Sequence, residues 1–107
     1  MLLTTTGAKS GHQHTTPLMS HSEGDRVFVF ASMGGAPKSP AWFHNLVANP
    51  TVTLEVGAER FEARAVVLDQ PERDRVYAEQ AGNFPQFAEY EARTTRKIPV
   101  VALERVK

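Results

Sequence analysis

The chain has 107 residues, the length of one domain, and its 12 basic and 12 acidic side chains give a formal net charge of zero at pH 7. That balance excludes the strongly basic surface of a typical nucleic-acid-binding protein, and no apolar run is long enough for a membrane-spanning helix. The absence of cysteine excludes disulfides and thiolate catalysis. We expect a single domain over residues 1–107, located in the cytoplasm, that binds no nucleic acid.

The first part of the chain predicts three strands joined by tight turns. Residues 2–6 (LLTTT) favour a strand, and the glycine-flanked turn at residues 7–11 leads into a return strand over residues 13–21. A second turn at residues 22–25 leads into an apolar strand over residues 26–31. Because these turns are short, we expect antiparallel pairing between consecutive strands.

The central stretch, residues 31–50, reads ASMGGAPKSPAWFHNLVANP and combines a glycine turn with a short helix. Gly34 and Gly35 permit backbone conformations that are closed to other residues. Ser39 is predicted to cap a helix over residues 41–48, which the following Asn-Pro pair ends. A glycine turn that runs into a helix N-terminus can bind an anion, because the free N–H groups there favour negative charge.

Three more strands are predicted after this stretch. Residues 51–56 (TVTLEV) alternate with period two, and a turn leads from them into a second alternating run at residues 60–68. Residues 98–103 (IPVVAL) form an apolar closing strand, and Pro99 predicts that its start lies near an edge of the sheet.

Two further helices are predicted between these strands. The first covers about residues 70–80, with Asp69 as N-cap and Glu72 completing a capping box. Its charged residues, Arg73 among them, are predicted to face solvent. The second covers about residues 84–93. Six short strands and three short helices predict an α+β protein built on a small antiparallel barrel.

The chain carries no motif of a common catalytic or metal chemistry. Its serines lack an obvious base, and its four histidines have neither cysteine partners nor a helical His–Glu pair, so we expect no metal site. Lys9 can hold an anion or simply lie in water, and Trp42 with Phe43 can flank a ligand or close the core. One aromatic stripe has the same ambiguity: Phe84, Phe87 and Tyr90.

Four segments, LLTTTGAKSG, TTPLM, ASMGGAPKSPAWFHNLVANP and FAEYEARTTRKIPVVALE, occur in an order that resembles the deazaflavin-dependent nitroreductase family of actinobacteria. The resemblance spans about residues 2–104. It implies a split β-barrel like that of proteins that bind flavin mononucleotide (FMN). It also implies an oxidoreductase that takes hydride from reduced coenzyme F420, a deazaflavin with a phosphate and an oligoglutamate tail. The expected acceptor is a small, planar, electron-poor molecule: a quinone, an enone or a nitro compound.

The family also implies features beyond the barrel itself. Members usually begin with an additional N-terminal segment that this chain lacks, and that segment can contribute to the acceptor pocket or to membrane association. We therefore expect any association with a membrane to depend on that missing segment. Related barrels commonly pair across their sheets, so a homodimer is also expected.

The resemblance places the cofactor against four segments of this chain. Carried over by position, the cofactor-binding residues are Ala8, Lys9, Ser10, His14, Thr15, Thr16, Pro17, Leu18, Met19, Phe30, Ala31, Ser32, Met33, Ala41, Trp42, Phe43, His44 and Asn45. Ser32, at the ring edge or the acceptor, and Tyr90 are the expected catalytic residues. The expected acceptor pocket consists of Phe84, Phe87 and Tyr90.

Five positions depart from the family pattern. Ala8, His14 and Met33 stand where members often carry basic residues, and the loss of two such contacts weakens binding of an anionic cofactor roughly tenfold to a thousandfold. Phe84 and Phe87 stand where nitroreducing members carry tyrosines. These departures motivate two alternatives: a non-catalytic binding protein for a deazaflavin, a flavin or a lipid-like ligand, and FMN as cofactor in place of F420.

Overall fold

The computed structural model describes residues 1–106, and in them it shows seven strands, three α-helices and a 3₁₀ turn at Met33–Gly35. The strands are β1 (Leu2–Thr6), β2 (Gln13–Pro17), β3 (His21–Glu23), β4 (Arg26–Phe30), β5 (Thr51–Val56), β6 (Glu59–Val67) and β7 (Val100–Arg105). The helices are α1 (Ala41–Ala48), α2 (Glu72–Asn83) and α3 (Gln86–Arg93). None of these helices has the length and apolar character needed to cross a membrane.

All seven strands belong to one antiparallel sheet with the order β2-β1-β5-β6-β7-β4-β3. Its two edge strands, β2 and β3, are joined by only three residues, from Leu18 to Ser20. Four steps along the chain from Pro17 to His21 span at most about 14 Å. The sheet must therefore curl until its edges nearly meet, which produces a barrel with a gap between β2 and β3 and confirms the predicted α+β antiparallel architecture.

The predicted strand over residues 13–21 is wrong, because this segment forms two strands at opposite edges of the sheet. Its first part, β2, pairs with β1, whereas its last part, β3, pairs with β4. The turn before Arg26 occurs as predicted, since Glu23 pairs directly with Arg26. The alternation of residues 13–21 is compatible with one continuous strand. The segment is divided only because its two ends pair with different strands, β1 and β4.

Strands β4 and β7 are buried on both faces of the sheet. Val27 and Val29 of β4 lie in the cluster inside the barrel, which α1 closes with Trp42. Phe28 and Phe30 lie on the opposite face, in the cluster that α2 and α3 cover. Two-sided burial explains why these strands read as continuous apolar runs. It also makes the predicted edge position of Pro99 wrong, because β7 begins one residue later and pairs with both β4 and β6.

Helix α1 has the predicted bounds, but the side-chain caps predicted for α1 and for α2 do not form. Pro40 occupies the N-cap of α1 without a side-chain bond, and the hydroxyl of Ser39 accepts a hydrogen bond from Arg96 instead. At α2 the N-cap is Pro71, and Glu72 receives a 2.7 Å bond from Arg26 on β4. In each case a partner distant in sequence takes the polar side chain away from the local helix terminus.

Arg73 is also placed differently from its predicted solvent-facing position. It is only 5% exposed, and its Nη2 and Nε atoms donate to the carbonyl of Ile98 at 2.7 and 3.0 Å. Its guanidinium lies 4.6 Å from the centre of the Tyr77 ring. Arg73 therefore links α2 to the segment that precedes β7.

Candidate active site

A cleft of about 1040 Å³ opens between the β1–β2 turn, strand β2 and the start of α1. Its lining residues are Gly7, Ala8, Lys9, Ser10, Gln13, His14, Thr15, Thr16, Ala41, Trp42, His44 and Asn45. We call it the larger cleft. It brings together three of the segments predicted to bind a cofactor, including the first turn of α1, whose free N–H groups favour anions.

The β1–β2 turn depends on the absence of a side chain at Gly7. A Cβ atom there would lie 2.5 Å from Oγ of Ser10 and 3.2 Å from Nε2 of His14. The amide of Gly7 donates to the carbonyl of His12 at 2.7 Å, and its own carbonyl accepts from the amide of Gly11. Glycine at this position therefore allows Ser10 and His14 to lie close together along one wall of the larger cleft.

Asn45 on α1 joins the two walls of the larger cleft. Its Oδ1 accepts a 3.1 Å bond from the amide of Ala8, and its Nδ2 donates to the hydroxyl of Thr5 at 3.3 Å. One amide side chain thus serves both the turn and β1. We expect this pair of bonds to set the width of the cleft.

Eight of the twelve residues that line the larger cleft have polar side chains, and none of its lining residues within 1–106 is acidic. Its ionisable residues are Lys9, His14 and His44. Lys9 is exposed and forms no ion pair with any residue in the described range 1–106. A cationic side chain without an acidic partner, beside backbone N–H groups and hydroxyls, is suited to an anionic ligand.

A second, smaller cleft of about 370 Å³ adjoins the first, because Thr16 and Trp42 line both. Its lining residues are Thr16, Pro17, Leu18, Met19, Phe30, Ser32, Met33, Gly34, Pro40, Trp42, Phe87 and Tyr90. They come from the gap between β2 and β3, from the loop after β4 and from α3. Most of them are apolar, in contrast to those of the larger cleft.

Aromatic side chains form one continuous wall of the smaller cleft. The ring centres of Phe30 and Phe87 are 5.5 Å apart, and those of Phe87 and Tyr90 are 5.2 Å apart, both in edge-to-face geometry. Phe87 is 4% exposed, so its ring is mainly core, whereas Tyr90 is half-buried. The wall is thus apolar and anchored in the core.

Ser32 and Tyr90, the two predicted catalytic residues, both line the smaller cleft. Ser32 is 8% exposed. Neither hydroxyl forms a hydrogen bond with another side chain or backbone group in residues 1–106. Two hydroxyls without protein partners in a mostly apolar cleft are available to a bound molecule.

Three predicted site residues line neither cleft. Ala31 is fully buried, and its amide donates to the carbonyl of Pro99. Phe43 packs against the core inside the barrel. Phe84, predicted for the acceptor pocket, precedes α3 and is 39% exposed. It lies off the aromatic face because the helix begins two residues after it, so the i, i+3, i+6 spacing does not apply.

Four lining residues were not among the predicted site residues: Gly7, Gln13, Gly34 and Pro40. Gly7 and Gly34 have a sequence signal, since both lie in turns next to predicted site segments. Gln13 and Pro40 could be found only from the way the turn and the loop fold over the clefts.

An ionisable cluster lies away from both clefts, between β3 and α2. Single ligand atoms of His21, Glu23 and Glu79 lie within 4.8 Å of one another. Arg75 bonds both carboxylates at 3.0 Å, and its guanidinium is the main reason why the pKa of Glu23 is lowered to about 2. Because Arg75 already bonds both carboxylates, we interpret the cluster as an ion-pair network that holds β3 to α2.

Comparisons with known proteins agree on one family. The family model of F420H(2)-dependent quinone reductases matches residues 1–105. An F420H(2)-dependent quinone reductase of Mycobacterium tuberculosis is 43% identical over 108 residues, which cover 98% of this chain and 72% of the relative.

Two solved structures share the fold closely. One, described as an F420-H2 dependent reductase, has a TM-score of 0.88 and 40% identity, and the match covers 96% of this chain and 91% of that one. The other, described as a domain-swapped dimer, has the same TM-score and identity over 96% of this chain and 78% of that one. These matches confirm the predicted split barrel.

Proposed function

Because the chain belongs to the F420H(2)-dependent quinone reductase family, we propose that its two adjoining clefts bind the cofactor and the acceptor side by side. The chain is an F420-dependent oxidoreductase that reduces quinones. In our proposal the larger cleft, with Lys9 and most of its side chains polar, takes the anionic part of F420, and the smaller cleft, lined mostly by apolar residues, takes the acceptor. The observation that carries this assignment is that Thr16 and Trp42 line both clefts.

The residues of the larger cleft fit the chemistry of F420. A ligand with a phosphate and an oligoglutamate tail requires cations, hydroxyls and backbone N–H groups, and it is repelled by carboxylates. The cleft offers Lys9, Ser10, Thr15 and Thr16, together with the first turn of α1, and no carboxylate of residues 1–106 lines it. Its volume of about 1040 Å³ is at the upper end for a ligand pocket, as a tailed cofactor needs.

Trp42 and Thr16 mark the junction where we propose that the deazaflavin ring lies. Reduced F420, when bound, supplies the hydride. The chain's own contribution is to position the ring against the acceptor and to exclude water, since a small error in placement lowers the rate greatly. Trp42 is 7% exposed and packs into the barrel core, so this part of the junction is rigid.

Ser32 and Tyr90 are the proposed partners of the acceptor oxygens. A quinone oxygen gains negative charge as the ring is reduced, and a hydroxyl donor held beside that oxygen stabilises the charge. Both hydroxyls lack protein partners within residues 1–106. The smaller cleft has no other hydroxyl on α3, because Phe87 stands beside Tyr90 there.

The proposal is tested by mixing the purified protein with reduced F420 and menadione, a simple quinone, and following the oxidation of F420. We expect acceptor-dependent oxidation in the wild type, with a loss of about tenfold or more in kcat/KM for Ser32→Ala and for Tyr90→Phe. Val47→Ala is the control, because Val47 is 55% exposed and lines neither cleft. Absence of both F420 binding and oxidation in the wild type would overturn the proposal.

Parallel titrations with oxidised F420 and FMN distinguish the alternatives. Tight F420 binding without oxidation by any quinone would support a binding protein instead. Preference for FMN would reassign the cofactor.

We also propose that the chain forms a homodimer. The support is that a structural relative with 40% identity is described as a domain-swapped dimer. Light scattering of the purified protein checks this, and a molar mass equal to one 11.8 kDa chain at all concentrations would contradict it.

A further inference from the structure

Arg96, in the segment after α3, spans the loop between β4 and α1, which we call the β4–α1 loop (residues 31–40). Its Nε donates to the carbonyl of Ala36 at 2.9 Å, and its Nη1 donates to the hydroxyl of Ser39 at 3.2 Å. Its Nη2 lies within 2.9 to 3.1 Å of three more carbonyl oxygens, those of Ala31, Ser32 and Lys38. One guanidinium therefore contacts acceptors along almost the whole loop.

The β4–α1 loop has few bonds of its own. Its internal backbone bonds run from Gly35 to Ser32 and from Ala36 to Met33. Met33 has a φ of 46° and Gly34 a φ of 64°, so the backbone within the short 3₁₀ turn is left-handed at these two residues. A planar guanidinium with donors in a fixed fork defines the directions of several carbonyls at once, which a lysine cannot do.

The other side of the loop rests directly on α3. A Cβ atom on Gly35 would lie 2.9 Å from the carbonyl oxygen of Tyr90 and 3.0 Å from Cβ of Arg93. Glycine is therefore required for this close approach, and its φ of 84° also favours glycine. The contact joins the loop that carries Ser32 to the helix that carries Tyr90.

Arg96 itself lines neither cleft and forms no ion pair within residues 1–106. Its charge is directed entirely at loop carbonyls and one hydroxyl. Bonds from a charged donor are stronger than neutral ones, so together they outweigh the loop's two internal bonds. The guanidinium is thus specialised to hold the shape of the loop.

We propose that Arg96 is a positioning residue for quinone reduction: by holding the β4–α1 loop against α3, it places Ser32 across the smaller cleft from Tyr90. This inference rests on the proposed function of that cleft. We expect its main effect on the acceptor side, because Ser32 lines only the smaller cleft, while the turn, β2 and Asn45 of the larger cleft make no bond to Arg96. Arg96 approaches the larger cleft only through Lys38 and Ser39, which precede the first turn of α1. Loss of Arg96 should therefore affect turnover more than cofactor affinity.

The test compares Arg96→Ala and Arg96→Lys with the wild type, using reduced F420, menadione and equilibrium titration of oxidised F420. We expect the Kd for F420 to stay within about threefold, while kcat/KM for menadione falls about tenfold to a hundredfold. Lys97→Ala is the matched control, because Lys97 is the neighbouring cation, is exposed and, within residues 1–106, forms an ion pair only with Asp74, at 2.9 Å. That control should keep the wild-type values.

Two further measurements separate positioning from a general loss of folding. Guanidinium chloride at about 50 mM, far below denaturing concentrations, should restore activity to Arg96→Ala but not to Arg96→Lys, whereas sodium chloride should restore neither. In addition, Ser32→Ala should lower kcat/KM by a smaller factor in an Arg96→Lys background than in the wild type. The reason is that Arg96→Lys already displaces the Ser32 hydroxyl from its position in the smaller cleft.

The outcomes are distinguishable from failure of the proposed function. An inactive wild type would contradict the proposed function and therefore also this inference. An active wild type with unchanged kcat/KM in Arg96→Lys, or with equal losses in Kd and kcat/KM, would overturn the role of Arg96 alone. If Arg96→Ala does not fold, the lysine variant and its double-mutant cycle with Ser32 decide the question.

Discussion

The hydroxyl of Tyr77 on α2 donates a 2.6 Å hydrogen bond to the backbone carbonyl of Phe87 on α3. Tyr77 is 2% exposed, and Phe87 is part of the aromatic wall of the smaller cleft. This bond therefore fixes the helix that carries the acceptor wall against the helix that packs on the sheet. Burial is the main cause that raises the pKa of Tyr77 from 10.0 to about 12.

We expect Tyr77→Phe to lower the free energy of unfolding by about 1 to 2 kcal/mol, because a buried carbonyl loses its side-chain donor. Urea unfolding at pH 8 measures this change. An effect below about 0.5 kcal/mol would mean that the bond contributes little.

The same variant gives a test by pH. Since the pKa is higher in the folded protein, the stabilising contribution of Tyr77 is complete below pH 10 and is lost as the pH rises from 10 to about 12. The wild type should therefore lose stability more steeply than Tyr77→Phe across that range. Parallel curves for the two proteins would contradict this assignment.

The bridge made by Asn45 across the larger cleft predicts an ordered series of variants. Asn45→Ala removes the bonds to Ala8 and Thr5 and should weaken F420 binding about tenfold. Asn45→Asp keeps an acceptor for Ala8 but adds a negative charge to a cleft that no carboxylate lines, so its loss should be larger. The control is Asn83→Asp, the same change at an exposed position. A weaker effect of aspartate than of alanine would place the anionic tail elsewhere.

Lys9 is the proposed main cationic contact for the tail of F420. Lys9→Ala should raise the Kd about tenfold and reduce its dependence on salt, because a screened charge contact is removed. Lys38→Ala serves as the matched control, since Lys38 is also exposed but lines neither cleft. Titrations at low and high sodium chloride measure both effects. Equal behaviour of the two variants would show that only the overall charge matters.

Met33 is the residue where an added cation should help. It is 57% exposed and lines the smaller cleft, as do Thr16 and Trp42, where we propose that the ring lies. We expect Met33→Lys to tighten F420 binding about threefold to tenfold. Val47→Lys adds the same charge at a similarly exposed position outside both clefts and should leave the Kd unchanged. An unchanged affinity in Met33→Lys would mean that this side chain does not face the bound cofactor.

Elements with strong local signals were predictable from the sequence. The bounds of α1 and β5 match those predicted, because an Asn-Pro pair ends the helix and strict alternation defines the strand. The resemblance likewise named most residues that line the two clefts, although it could not show that the clefts are separate or that Trp42 joins them. Site residues assigned by position in a family motif do not all line a cleft, and the exceptions here are Ala31, Phe43 and Phe84. A motif does not show which of its residues face a cavity and which face the core.

By itself, the sequence determined the α+β class, the turns and the apolar runs, because these depend on propensities and patterns within a few residues. The order of four motifs along the chain was enough to indicate the family. Only the tertiary structure decided which strands pair across the gap, and so divided residues 13–21 between two edges. The tertiary structure also decided which hydrogen-bond partners the polar side chains have. Arg73 is buried because the carbonyl of Ile98 lies within its reach, and Arg96 holds Ser39 although 57 residues separate them. A side chain bonds to what lies nearest in space, and that is known only once the chain has folded.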